Sequence, residues 1–125
     1  MKFLFVGERP STKAMSMHVR WEDGRLAAKQ LFDALKGCGL NPSDHYYANW
    51  FQTRTDSYRR HPCILKKIKY AKRRGVRVVA LGRMVSREMD KVGLTHIRLV
   101  HPAARGKIRK KGRYILHVKR TLFTI

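Results

Sequence analysis

The chain reads as an α/β protein: a three-layer α/β/α sandwich around a four-stranded parallel sheet. Three observations predict this. Short apolar runs alternate with stripes of helical spacing in the order β-α-β-α-β-α-β, which is the pattern of a parallel sheet with helices on both faces. The runs are bounded by glycine, proline and asparagine, the residues that end strands in turns. The length, 125 residues with 43% hydrophobic, suits one core and one domain over residues 1–125. There is no linker, internal repeat or low-complexity tract to divide it.

The elements follow in order. Residues 2–6 form an apolar run ending at Gly7, a buried strand closed by a tight turn. Residues 8–21 have mixed polarity and read as a loop, after which Asp23 is placed to cap a helix. Ala27, Leu31, Ala34 and Leu35 recur at helical spacing, and Gly37 and Gly39 end that helix. Asn41-Pro42-Ser43-Asp44 is turn chemistry, and the aromatic-rich residues 45–51 read as the second strand. A polar loop over 53–61 leads to Pro62, which suits a first helical turn. The stripe Ile64, Leu65, Ile68 and Ala71 defines the second helix, and Lys66, Lys67, Lys69, Lys72, Arg73 and Arg74 its opposite face.

Residues 76–81 are a third buried strand, closed by Gly82. Met84, Val85, Met89 and Val92 mark a third helix ended by Gly93, and residues 95–100 a fourth strand followed by His101-Pro102. Residues 103–112 are a basic loop. Residues 114–123 suit a helix with Ile115, Val118 and Leu122 on one side, but also a strand, and periodicity leaves both open.

Charge narrows the partners. There are 29 Lys+Arg against 8 Asp+Glu, a formal +21. Such an excess repels itself unless a polyanion supplies counter-charge, and DNA or RNA is the natural one because binding releases phosphate counterions. An anionic membrane surface is the rival, although no segment approaches the roughly 20 apolar residues needed to span. The opening residues 1–7 are too short for a signal peptide. Cys38 and Cys63 form no Cys-x-x-Cys pair, so neither a zinc ribbon nor a cysteine-ligated iron–sulfur cluster is expected. Two reduced thiols, one near a helix end and one on a helix, fit a reducing cytoplasm. No Gly-x-x-x-x-Gly-Lys-Ser/Thr occurs, which sets a P-loop NTPase aside.

In parallel α/β sheets, ligands bind beyond the carboxyl ends of the strands. Those ends here are Gly7-Glu8-Arg9-Pro10-Ser11, Asn49-Trp50-Phe51, Gly82-Arg83 and His101-Pro102. Gly7 allows close backbone approach, and Glu8 can orient water or stabilise a cation-like sugar. The Asn49 amide carries a donor and an acceptor, matching the O4 and N3–H edge of uracil or thymine. His101 can donate a hydrogen bond to a departing base. Trp21, Trp50 and Phe51 can stack a flipped base, and at least one is expected to be core instead. Each feature alone has a plainer reading as an ordinary turn, a turn asparagine or a satisfied surface histidine. The run Arg105, Lys107, Arg109, Lys110, Lys111, Arg113, Lys119 and Arg120, eight cations with no acid between them, favours phosphate binding.

Taken in order, Gly-Glu-x-Pro after the first strand, Tyr47-Ala48-Asn49 at the second, Val79-Ala80-Leu81-Gly82 at the third and His101-Pro102 after the fourth resemble the uracil-DNA glycosylase superfamily. Asp23-Gly24-Arg25 is similar to a further motif of that family, and the likeness runs along nearly the whole chain. It is nearest the Gly-Glu-x-Pro-Gly branch, in a minimal form without that branch's four cluster-binding cysteines. The resemblance implies an enzyme that flips uracil, or a related deaminated base, out of DNA and hydrolyses its N-glycosidic bond in base excision repair. Glu8 and His101 would be catalytic, and Gly7, Trp21 and Asn49 would bind the base. Arg9, Ser11, Arg105, Lys107, Arg109, Lys110, Lys111 and Arg113 would bind DNA. Residues 103–111 would enter the minor groove, with Ile108 or the Ala103-Ala104 pair as a wedge. No metal or organic cofactor is implied, and a cytoplasmic monomer is expected. Two alternatives stand beside it: a non-catalytic binder of uracil or damaged DNA on the same fold, and a general basic nucleic-acid-binding protein.

Overall fold

The computed structural model describes residues 1–8, 27–51, 59–103 and 112–123. Four parallel strands, β1 (Phe3–Gly7), β2 (Tyr46–Asn49), β3 (Arg77–Leu81) and β4 (Ile97–Leu99), form one sheet in the order β2-β1-β3-β4. Among the described residues four α-helices accompany them: α1 (Ala27–Gly37), α2 (Ile64–Arg73), α3 (Arg83–Lys91) and α4 (Arg113–Phe123). The three-layer α/β/α arrangement expected from the sequence is the one observed.

Alternation along the strands sorts the core into two halves. Phe3, Phe5, Val79, Leu81 and Leu99 face α1 and α4, where Leu31, Leu35, Tyr114, Val118 and Leu122 complete one cluster. Leu4, Val6, Ala48, Val78 and Ala80 face α2 and α3, against Ile64, Ile68, Ala71, Val85 and Met89. Both faces of β1 are buried, so its run is continuously apolar and not alternating.

Several boundaries differ from the sequence reading, each for a local reason. Strand β2 is shorter than 45–51 because the His45 ring, before it, accepts the Phe3 amide through Nδ1 at 3.2 Å. After it, the Trp50 and Phe51 amides donate to Gly7 and Glu8 carbonyls at 2.8 and 2.9 Å, prolonging the pairing beyond the regular strand. Strand β4 is shorter than 95–100 because Thr95 and His96 hold neighbouring helices instead, and the Val100 amide donates to His117 Nε2. Pro62 and Cys63 form a turn before α2 and lie outside the helix, and there the His61 ring accepts the Cys63 amide at 3.1 Å.

In α3 only Val85, Ser86 and Met89 are buried; Met84 and Val92, expected on the apolar stripe, are exposed. Met84 lies about 100° round the helix from Val85, and Val92 is already the C-cap. The undecided segment 114–123 is helical and packs beside α1. The two helices approach closely: a Cβ at Gly37 would stand 2.9 Å from Ile115 Cγ2. Gly37 therefore serves helix packing, while Gly39 with φ +80° makes the left-handed turn that ends α1. Among the described residues no helix is long and apolar enough to cross a membrane, and both cysteines are free.

Candidate functional site

The strand order places a reversal at the centre of the sheet. From β1 the chain steps outward to β2 through α1 on one face, and from β3 outward to β4 through α3 on the other. The carboxyl ends of β1 and β3 thus lead to helices on opposite faces of the sheet, and the crevice between those two ends is the position where such sheets bind ligands. Gly7-Glu8 stands at one side and Gly82-Arg83 at the other.

His101 reaches this crevice from the turn after β4. It packs on Gly82, where a Cβ would lie 3.4 Å from His101 Cβ. Gly82 adopts φ +99° and ψ 168°, a backbone region that favours glycine, so the strand-closing glycine also admits the imidazole. The Ala103 amide donates to His101 Nδ1 at 3.0 Å. With Nδ1 as acceptor, the neutral ring carries its proton on Nε2 and is a hydrogen-bond donor. Burial pushes its pKa below the ordinary histidine value, and the Glu8 carboxylate opposes that in part. The two groups are therefore electrostatic neighbours, although 93 positions separate them in sequence (101 − 8).

Glu8 and His101 line one groove of about 930 Å³, with Arg83, Arg87, Arg98 and His117 among its other walls. Glu88 also lines it but is paired with Lys91 at 3.0 Å. Fixed cations outnumber carboxylates around the groove, which suits an anionic ligand. Arg83, Arg87 and Arg98 escaped the sequence reading as site residues. The first follows Gly82, a strand end already singled out; the others reach the groove only because α3 packs beside β4. His117 is held in place as acceptor from Val100, and Tyr114 donates to the Val100 carbonyl at 2.7 Å, so α4 fixes the strand end that leads into His101.

The other expected residues divide. Gly7 pairs with Asn49 across β1 and β2. Asn49 is half-buried and does not line the groove that holds Glu8 and His101. It belongs to the opposite edge strand from β4, three strand spacings away, about 14 Å. Trp50 and Phe51 are core residues, 1% and 2% exposed, and neither is available as a stacking platform. The Trp50 indole nitrogen is buried with no partner among the described residues. Arg113 is exposed at the start of α4. Arg9, Ser11, Trp21, Arg105, Lys107, Arg109, Lys110 and Lys111, the helix cap Asp23 and the wedge residues Ala104 and Ile108 lie outside the described residues. Among the described residues no group of three or more His, Cys, Asp or Glu side chains is arranged to hold a metal ion.

No protein-family model matches this chain, and no curated protein matches it.

Proposed function

We propose that the chain is a DNA glycosylase of the uracil-excising kind, acting on uracil or a related deaminated base. The observation that carries this reading is the convergence of Glu8 and His101 on one cation-walled groove at the carboxyl edge of the sheet, with His101 held as a neutral Nε2–H donor. In the reaction the C1′–N1 bond breaks and its electron pair leaves with the base. The His101 N–H stabilises the anion developing on the base oxygen, a preorganised electrostatic contribution. Glu8 would face the sugar side, where its carboxylate stabilises the oxocarbenium-like centre and accepts a proton from the water whose oxygen adds to C1′; that proton ends on the departed base anion. Arg83, Arg87 and Arg98 neutralise backbone phosphates, and the basic residues 105–111 extend that interaction. Two free thiols suit a reducing cytoplasm.

A second reading, a binder of uracil or damaged DNA without turnover, is favoured by one observation. Among the described residues, Glu8 and Glu88 are the only carboxylates lining the groove, and Glu88 is engaged by Lys91. Water activation then falls on Glu8 alone.

A single-turnover assay separates the readings. An end-labelled DNA carrying one uracil is incubated with excess protein and then treated with alkali, with thymine, cytosine and hypoxanthine controls. Strand breakage confined to uracil or hypoxanthine supports excision. Selective retention of the uracil duplex without breakage supports the binder. A protein that neither prefers nor breaks the uracil strand overturns both.

A further inference from the structure

The outer face of α2 is a charged surface that base excision leaves unused. The helix holds Lys66, Lys67, Lys69, Lys72 and Arg73 with no acid, and Arg74 follows at its C-cap. Its inner stripe, Ile64, Ile68 and Ala71, is consumed by the sheet. Lys66, Lys69 and Arg73 recur at i, i+3 and i+7 and are all exposed; Lys67, Tyr70 and Arg74 form a second exposed row at the same spacing. Each row runs about 10 Å along the helix. The Arg74 guanidinium stacks 4.8 Å from the Tyr70 ring centre, which orders the end of the second row. Lys72 turns away and donates to the Thr95 carbonyl and hydroxyl at 2.6 and 2.8 Å.

This arrangement works against the helix that carries it. Like charges three and four residues apart repel. Lys66 and Lys67 also stand near the N-terminus of α2, where the helix dipole is positive and acids are preferred. The ion pairs among the described residues are Lys29 with Asp33, Lys91 with Glu88 and His96 with Asp90, and none reaches α2. A polyanion supplies what the fold does not. Duplex DNA presents one negative charge per roughly 1.7 Å of its axis, so a row of about 10 Å faces about six. The face has no aliphatic residue to insert into lipid, and its one aromatic, Tyr70, is a single exposed ring with Arg74 stacked on it, not a ladder for single strands.

We propose that the outer face of α2 is a second, sequence-independent docking surface for the backbone of duplex DNA, separate from the sheet-edge groove. It stands without the excision reading. The test uses the full chain and the triple variant Lys66→Gln, Lys69→Gln, Arg73→Gln, titrated with a short uracil-free duplex over a range of salt. The slope of log affinity against log salt becomes shallower by about 2.7, from about 0.9 for each phosphate that is no longer neutralised. Because repulsion is removed, the variant melts no lower than the wild type, which separates weakened binding from weakened folding; Lys69→Gln alone lowers the slope by about 0.9. The triple substitution lowers the slope equally in an Arg83→Gln, Arg87→Gln background, because the two surfaces are separate. An unchanged slope in the triple variant overturns the proposal. So does triple-variant loss of binding to phosphatidylserine vesicles with duplex binding intact.

Discussion

Helices α2 and α3 lie on the same face of the sheet and solve the same packing problem, yet their outer surfaces differ. Inside, Ile64, Ile68 and Ala71 of α2 and Val85, Ser86 and Met89 of α3 are equally buried against β1 and β3. Outside, α3 mixes Arg83, Arg87 and Lys91 with Glu88 and Asp90, whereas α2 has five cations and no acid. Each helix also sends one side chain to the residues before β4: Lys72 to Thr95 at the surface, and Ser86 to His96 in the interior. Burial fixes only the inner stripe of an amphipathic helix. The outer face is free to serve a partner, and α2 keeps a self-repelling one.

The comparison can be broken most forcefully at the inner stripes. Ile68→Ala and Met89→Ala should each cost about 2–5 kcal/mol, read as a shift in denaturant midpoint at constant slope. A much smaller cost at one of them would show that the two helices do not share the core equally. On the α3 side, where the groove lies, His101→Ala should slow single-turnover excision about 10²–10³-fold while duplex affinity changes little. Equal losses of both would make His101 a positioning group. The two ties to β4 should differ by burial. Ser86→Ala leaves His96 Nε2 without its hydroxyl partner and should cost about 1–3 kcal/mol. Lys72→Met removes an exposed bond and should cost under about 1 kcal/mol.

The smallest effect per residue is on pH. Burial holds the pKa values of His45 and His117 below the ordinary histidine value, and each ring nitrogen accepts an amide N–H that protonation would remove. The unfolded chain takes up protons below about pH 6.5, where the folded chain resists them. Stability is therefore complete above that pH and falls as pH drops toward the lowered folded values. Thermal melts at about pH 7.5 and at successively lower pH measure this; an unchanged midpoint would show that these bonds do not limit stability.

Much of the architecture was legible because it is local. Short apolar runs identified β1 and β3, and a 3.6-residue stripe identified α2, within a residue or two of their boundaries, since the apolar residues of these elements face a core on defined sides. The misplaced residues are those whose environment comes from elsewhere. Met84 and Val92 are apolar and exposed. Trp50 and Phe51 stand beside a candidate base-reading asparagine, yet they fill the core under β1 and α2. Segment 114–123 became a helix because α1 and β4 offered a face for Tyr114, Val118 and Leu122, while its own periodicity was equally consistent with a strand.

Sequence alone determined the fold class, the inner stripes, the cationic excess and the four strand ends where chemistry could gather. These follow from side-chain hydrophobicity, turn propensity and charge, which each residue carries with it. Only the tertiary structure decided which strand ends meet. The order β2-β1-β3-β4 opens the crevice between β1 and β3, brings His101 against Gly82 and within electrostatic reach of Glu8, and leaves Asn49 on the opposite edge. Pairing between distant strands depends on how two faces are buried at once, and no local pattern encodes that choice.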